Sequence, residues 1–295
     1  MKMDQIIDTK NSDQYVYHYT KISSVIDHIL PKRSLRIGSF SKTNDPKEVK
    51  EWSFWLSSNS SSGALVNQDK QRLSQAFSTE LKGCARVICF CSDRPQLTGD
   101  RIADIFDRGF VKPRMWAQYA EDHAGVCLVF DRELLHQRMV KTFEPRCRIS
   151  SGPVVYRNRP VVGLNTDPAY GINVDALKEW GLRKYALKHL ENFHHRLFFE
   201  KMSDWSAEEE YRWVVWSNTT DDLYLDYGAA LKAVIFGDKV RPDLAEKVMG
   251  LTQDDDVYWH GLKWQNCSPW YDFGNLKYDR SLRISGGWGQ PPLPR

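Results

Sequence analysis

Polar and apolar positions divide the chain into short elements. Tyr15, Tyr17 and Tyr19 alternate with Val16 and His18 in a run of β-formers. A strand here puts the three tyrosines on one face and Val16 with His18 on the other. His18 therefore breaks an apolar face. Ile22, Val25, Ile26, Ile29 and Leu30 then recur at i, i+3, i+4, i+7 and i+8, which predicts an amphipathic helix capped by Thr20.

A short strand is expected near Leu35 to Ile37, followed by Thr43-Asn44-Asp45-Pro46, a turn suited to opening a helix that Trp52 to Leu56 continues. Ser57 to Gly63 reads as a loop, Gln68 to Lys82 as a polar helix and Arg86 to Cys91 as a strand. Ser92 to Pro113 is rich in Asp, Arg, Gly and Pro and reads as a long loop of the kind that gates a site. A helix near Arg114 to Asp122 sets Trp116, Tyr119 and His123 on one side and is stopped at Gly125. The apolar run Val126 to Phe130 predicts a central strand and Val154 to Tyr156 a weaker one. A long helix from about Asp175 to Lys201 is broken near Gly181, and strands follow near Leu223 to Asp226 and Leu231 to Phe236. This order predicts an α+β fold with mostly antiparallel sheets and inserted helices. Without repeats or a biased linker, a single domain is expected.

Composition narrows the class. The 295 residues are 41% hydrophobic and 13% aromatic, enough to bury a sizeable core. A net charge of +3, from 41 basic and 38 acidic residues, neither demands nor excludes a nucleic-acid partner. Two stretches, Lys32, Arg33, Arg36, Lys42 and Arg146, Arg148, Arg157, Arg159, are locally basic, although solvated faces look the same. The first ten residues lack the apolar core of a signal peptide and no run of 18 apolar residues occurs, so a cytoplasmic protein without membrane contact is expected. Its six cysteines are then free thiols, and Cys89 with Cys91, on one strand face, do not make a metal site.

Glu208-x-Glu210-x-Arg212 lies at the start of a predicted strand, where alternation puts all three on one face. Two carboxylates and a guanidinium are costly to bury and natural around a polar ligand. An exposed edge with a Glu–Arg pair is the plainer reading. Against it stand Tyr211, Trp213 and Val215 on one side and Val214 and Trp216 on the other, the mark of a strand covered on both faces. Phosphate-loop, dinucleotide-fingerprint, nucleophile-elbow and His-Glu-x-x-His motifs are absent, and His194-His195 reads as a helix-surface pair.

Five short motifs occur in order: Tyr17-His18-Tyr19-Thr20, Asn44-Asp45-Pro46-x-Glu48, Cys89-Phe90-x-Ser92, Met115-Trp116-x-x-Tyr119-Ala120-x-x-His123-x-Gly125-Val126-Cys127, and Lys201-x-x-x-Trp205-x-x-Glu208-x-Glu210-Tyr211-Arg212. Together they resemble the bacterial family catalogued as domain of unknown function 2971, over residues 15–240. Residues 241–295 then form an extension with a flexible tail at 284–295. The opening His-Tyr-Thr and the late strand glutamate resemble, in turn, the ADP-ribosyltransferase superfamily. That resemblance implies an ADP-ribosyltransferase-like fold, NAD as substrate and no metal.

Carried over position by position, His18 holds a ribose and Glu210 is the catalytic carboxylate, with Glu208 as the competing choice or as activator of the acceptor. Tyr119 is the aromatic that stacks on nicotinamide. Tyr19, Thr20, Asn44, Asp45, Trp116, His123 and Arg212 complete the NAD-binding set, Arg212 anchoring the pyrophosphate or orienting Glu210. The implied function is an NAD-consuming effector of a bacterial defence or toxin–antitoxin system, with a nucleic acid or protein as acceptor and an inhibitor or antitoxin as partner. Two alternatives belong to other classes: a non-catalytic nucleotide- or nucleic-acid-binding module, and a hydrolase or nuclease using His18, His123 and Glu210 for acid–base work.

Overall fold

The structure is a computed structural model, and it describes residues 4–59 and 69–270. Part of the Ser57 to Gly63 loop and the whole 284–295 tail lie outside the described residues. Along the chain the strands are β1 (Tyr15–Thr20), β2 (Ser34–Ser39), β3 (Trp55–Ser57), β4 (Ala85–Ser92), β5 (Val126–Asp131), β6 (Arg148–Pro153), β7 (Val155–Tyr156), β8 (Gly171–Asn173), β9 (Glu200–Lys201), β10 (Glu210–Trp216), β11 (Leu223–Asp226), β12 (Leu231–Phe236), β13 (Tyr258–Gly261), β14 (Lys263–Gln265) and β15 (Ser268–Trp270). The α-helices are α1 (Asp4–Ile7), α2 (Ile22–Ser24), α3 (Leu30–Lys32), α4 (Pro46–Val49), α5 (Lys70–Gly83), α6 (Pro113–Tyr119), α7 (Arg132–Phe143), α8 (Val161–Leu164), α9 (Val174–Trp180), α10 (Leu182–Phe198) and α11 (Pro242–Leu251). Strands pair mostly antiparallel, and the mixed α and β content agrees with the class expected from the sequence. No helix among the described residues is long and apolar enough to cross a membrane.

The chain separates into two compact units, each built from discontinuous segments. The first comprises residues 1–35, 90–138 and 225–295. Here β1 lies between β5 and the end of β4, β12 follows β5, and β13 pairs with β12 in parallel. In β5 the residues Val126 to Phe130 are all buried, as an uninterrupted apolar run in a central strand requires. The register Tyr17↔Cys91 and Tyr17↔Val129 places Tyr17 and Tyr19 in one core with Cys91, Cys127 and Val129, against Met115 and Trp116.

Two local expectations change in this unit. Lys21, not Thr20, occupies the cap position before Ile22, and no side chain caps that end. The expected helix is not regular either, because Val25–Ile29 forms a π-turn in which Leu30 N–H reaches Val25 O. Pro31 follows; it lacks an N–H and crowds the carbonyl four residues back, which a widened turn relieves. The segment 92–113 is the long loop expected, with one short turn at Ile105–Asp107, and it is anchored: Arg108 and Asp93 are buried, Arg108 Nη1 lies 3.1 Å from Asp93 Oδ2, and Gly109 N–H donates to Asp93 Oδ1. Tyr17 Oη donates to the same carboxylate at 3.0 Å.

The second unit comprises residues 36–89 and 139–224, with strand order β2–β4–β10–β6 and two small parallel pairs, β3–β8 and β7–β9. Its core gathers Phe40, Trp52, Phe54, Phe77, Phe198 and Trp216 with the inward faces of α5 and α10. Each such ring contributes about 1.5–3 kcal/mol by leaving water. Trp52 to Leu56 does not continue a helix. α4 ends at Val49, Trp52 and Phe54 are buried with Ser53 exposed between them, and Trp55–Ser57 pairs with Gly171–Asn173. Alternating burial of bulky aromatics is a strand pattern. The break at Gly181 is observed: its φ of 76° ends α9 and starts α10, a conformation glycine adopts without steric cost.

Candidate functional site

The second unit contains a sealed ionic cluster that begins at the first turn of α4. Asp45 is its N-cap, accepting Lys47 N–H at 2.8 Å, and Pro46 with its fixed φ occupies the first position. This sets Glu48 one turn on, where its side chain is 2% exposed. From β10, Arg212 reaches Glu48 Oε1 through Nη1 at 2.6 Å and Glu210 Oε1 through Nε at 2.6 Å, and Nη1 also donates to Phe198 O at 2.8 Å. The Arg212 side chain is fully buried.

β9 supplies the second cation. Lys201 Nζ lies 2.8 Å from Glu208 Oε2 and 2.6 Å from Glu210 Oε2, and 5.0 Å from the Trp205 ring centroid. Glu208 does not start the strand. It ends the turn Ser203–Glu208, and Glu209 at φ 44° redirects the chain so that β10 begins at Glu210. The two glutamates converge on one lysine from different elements rather than from one strand face.

Burial pushes the Glu210 carboxyl upward, but the Arg212 and Lys201 charges outweigh it and hold the group well below the usual carboxylate range. Burial alone pulls Lys201 down, yet Glu210 and Glu48 leave it above the ordinary lysine value. Burial pushes the nearby Cys89 thiol well up, with the Glu210 charge adding to it, so Cys89 is a neutral thiol. Main-chain bonds fix Glu210 further, since its N–H donates to Tyr156 Oη and its carbonyl accepts Val154 N–H, each at 2.8 Å.

Of the residues singled out in the sequence, Asp45, Glu208, Glu210 and Arg212 fall in the second unit, with Asn44 exposed beside Asp45. His18, Tyr19, Thr20, Trp116, Tyr119 and His123 fall in the first unit and are not all on one face. Tyr19 and Trp116 are core residues, edge to face at 5.1 Å, and Trp116 Nε1 donates to Phe110 O. Tyr119 is half-buried against that same core. His18 is on the opposite face of β1, half-buried, its ring 5.4 Å from that of Phe90. Phe90 is thus an aromatic neighbour of His18.

His123 does not belong to the helix. α6 ends at Tyr119, and Glu121, Asp122 and His123 have φ of 51°, 51° and 71°. The His123 ring instead stacks on Trp116 at 6.1 Å, with Nδ1 3.8 Å from Asp238 Oδ1. Glu48 and Lys201 are cluster members to which sequence reasoning gave no role, although both stand in the motifs quoted above.

Residues 115–213 match a family model described as protein of unknown function (DUF2971). That span runs from the start of the Met115-Trp116 motif through Arg212 and supports the resemblance to the domain-of-unknown-function family. Comparison with curated proteins and with solved structures gives no match.

Proposed function

We propose that the protein is an NAD-consuming ADP-ribosyltransferase in which Glu210 is the catalytic carboxylate. The observation that carries this reading is the placement of the buried Glu210 carboxylate, 2.6 Å from both Arg212 Nε and Lys201 Nζ. In such a transfer the bond between the ribose anomeric carbon and the pyridinium nitrogen breaks, and its electron pair leaves with nicotinamide. The acceptor nucleophile bonds to the same carbon and releases a proton to solvent. Positive charge develops on the ribose as in glycoside cleavage, and a fixed carboxylate in a low-dielectric site stabilises it.

The cluster has the required sign. Glu48, Glu208 and Glu210 set three carboxylates against the two cations Lys201 and Arg212. A carboxyl held below its ordinary range is poorly suited to passing protons, which favours the transferase over a hydrolase or nuclease that uses Glu210 for acid–base work. In this reading Arg212 orients Glu210. The acceptor is a nucleic acid or a protein.

Incubation of the purified protein with NAD and cell extract should release nicotinamide and label an acceptor. Glu210→Gln should lower both by at least about 100-fold, the scale of losing one preorganised electrostatic contact. Absence of NAD binding and of nicotinamide release with any extract, while nucleic acid is bound or cut, overturns the reading.

A further inference from the structure

Residues 145–166, all in the second unit, include Arg146, Arg148, Arg157 and Arg159 but no Asp or Glu. In a chain with 41 basic and 38 acidic residues this imbalance is local. Arginines elsewhere at the surface are matched: Arg33, Arg36, Arg132, Arg183 and Arg241 each reach a carboxylate at 2.5–3.4 Å. Arg146, Arg148 and Arg157 are exposed and have no carboxylate partner among the described residues. Arg159 Nε lies 3.2 Å from Glu200 Oε2, but that carboxylate also takes Lys47 and Arg196. Glu200 and Asp167 together set two negative charges against these three cations, so Arg159 is not neutralised.

The arginines lie along one extended run. β6 and β7 follow each other with only Val154 between them, so Arg148 to Tyr156 spans about 26 Å at about 3.3 Å per residue. β6 is an edge, pairing with β10 alone among the described strands. Arg157 N–H donates to Lys201 O at 2.9 Å, which carries the run on past β9. Between the charges stand Ser150 and Ser151, half-buried, and the half-buried rings of Tyr156 and of Tyr211, the latter opposite Pro153. Val154 N–H donates to Glu210 O and Tyr156 Oη accepts Glu210 N–H, each at 2.8 Å, so the run passes alongside Glu210.

We propose that this strip binds the phosphate backbone of a single-stranded nucleic acid. Arginine presents a planar fork that pairs two phosphate oxygens, and the serine hydroxyls and main-chain N–H groups of an edge supply further backbone contacts. Partly exposed rings between the charges give unpaired bases a stacking surface that a duplex cannot use. A lipid surface is the competing occupant, because Val161 and Val162, beyond Arg159, are 74% and 79% exposed. The charges favour the nucleic acid, being strung along the run rather than gathered around those valines. On the NAD-consuming reading the strip makes nucleic acid the acceptor; the binding itself does not depend on that reading.

Fluorescence anisotropy of the full chain against labelled DNA and RNA of about 20 nucleotides, single-stranded and duplex, over about 50–200 mM salt, tests this. The single strands should bind, with log affinity falling against log salt at a slope of about −2 to −3, as for three or four phosphates at about 0.7 each. Arg146→Gln, Arg148→Gln and Arg157→Gln together should weaken binding at low salt at least about tenfold and make the slope shallower by about 2, with unchanged circular dichroism. Arg72→Gln, Lys178→Gln and Lys184→Gln remove the same charge from exposed positions on α5, α9 and α10 and should leave the slope nearly unchanged. The proposal is overturned by absence of single-strand binding at low salt, by preference for the duplex, or by equal loss in both triple variants. Arginine-dependent binding of phosphatidylserine vesicles without oligonucleotide binding also overturns it. The two readings fail separately. Arginine-dependent oligonucleotide binding without NAD turnover keeps the strip and sinks the transferase, and nicotinamide release without oligonucleotide binding does the reverse.

Discussion

Arg212 and Glu48, 164 positions apart in sequence, are joined at 2.6 Å with both side chains out of reach of water. Such a pair is retained at a cost, because desolvating two charges takes back most of what their attraction gives. The cluster is therefore poor evidence of added stability and better evidence of a site that needs charge in a fixed place. Its dependence on completeness is testable.

Arg212→Met strands Glu48 without its cation and leaves Glu210 with Lys201 alone. It should lower stability by about 3–5 kcal/mol, the cost of breaking a buried pair from one side. Replacing Glu48, Arg212 and Glu210 together by apolar residues of similar volume should recover much of the loss. Urea unfolding followed by tryptophan fluorescence measures both. A single substitution that changes the midpoint no more than a surface mutation contradicts a sealed cluster.

The pH dependence has a definite direction. Glu210 is ionised in the folded protein at pH values where the unfolded chain, with a glutamate near 4.3, takes up a proton. Its contribution is whole above that unfolded value and drains away as pH falls toward the lower folded value. Lys201 behaves oppositely: raised above its ordinary value, it contributes fully below about pH 10.4 and loses this only as pH rises further. Urea midpoints should fall steeply for the wild type as the pH is lowered from 7 to 3. Glu210→Gln should be less stable at pH 7 and show a shallower acid limb.

Two glycines should respond differently to the same added methyl group. A Cβ on Gly125 meets Thr20 O at 2.5 Å and Ala120 Cα at 2.8 Å, both main-chain atoms that cannot step aside. A Cβ on Gly38 meets nothing within 4 Å. Gly125→Ala should cost more than about 2 kcal/mol, in the range of strained overpacking, whereas Gly38→Ala should be neutral or stabilise by up to about 1 kcal/mol. Thermal melts of the two variants check this.

Local patterns announced local structure. The Val126 to Phe130 run, the strands at Leu223–Asp226 and Leu231–Phe236 and the break at Gly181 all stand where composition and period put them. Trp52 to Leu56 misleads because the strong helix start at Asp45-Pro46 invites a long helix, while what holds β3 extended is β8, more than a hundred residues later. The site divides similarly. Glu210 and Arg212 were legible from strand alternation, but Lys201 and Glu48 acquire a role only when tertiary structure brings them to those charges. The face separating His18 from Trp116 was latent in the alternation of β1, and only the position of α6 showed which face Trp116 covers.

His18 and Trp116 should therefore part company in experiment. Both were placed in one ligand-binding set by their order in the sequence. Trp116, however, is fully enclosed between Tyr19 and His123, with Nε1 committed to Phe110 O at 2.9 Å. Trp116→Phe removes that bond and part of the ring, and should cost about 1–3 kcal/mol of stability. Below its melting range, NAD affinity and nicotinamide release should stay within a few-fold of wild type. His18 is half-buried on the other face of β1, its ring 5.4 Å from that of Phe90. The ribose contact that the resemblance gives His18 predicts that His18→Ala weakens NAD binding at least tenfold, the equivalent of about 1.4 kcal/mol, as read by calorimetry below the melting range. The reverse pattern, a Trp116 variant that folds normally but no longer binds NAD, would return the binding face to the tyrosine side of β1.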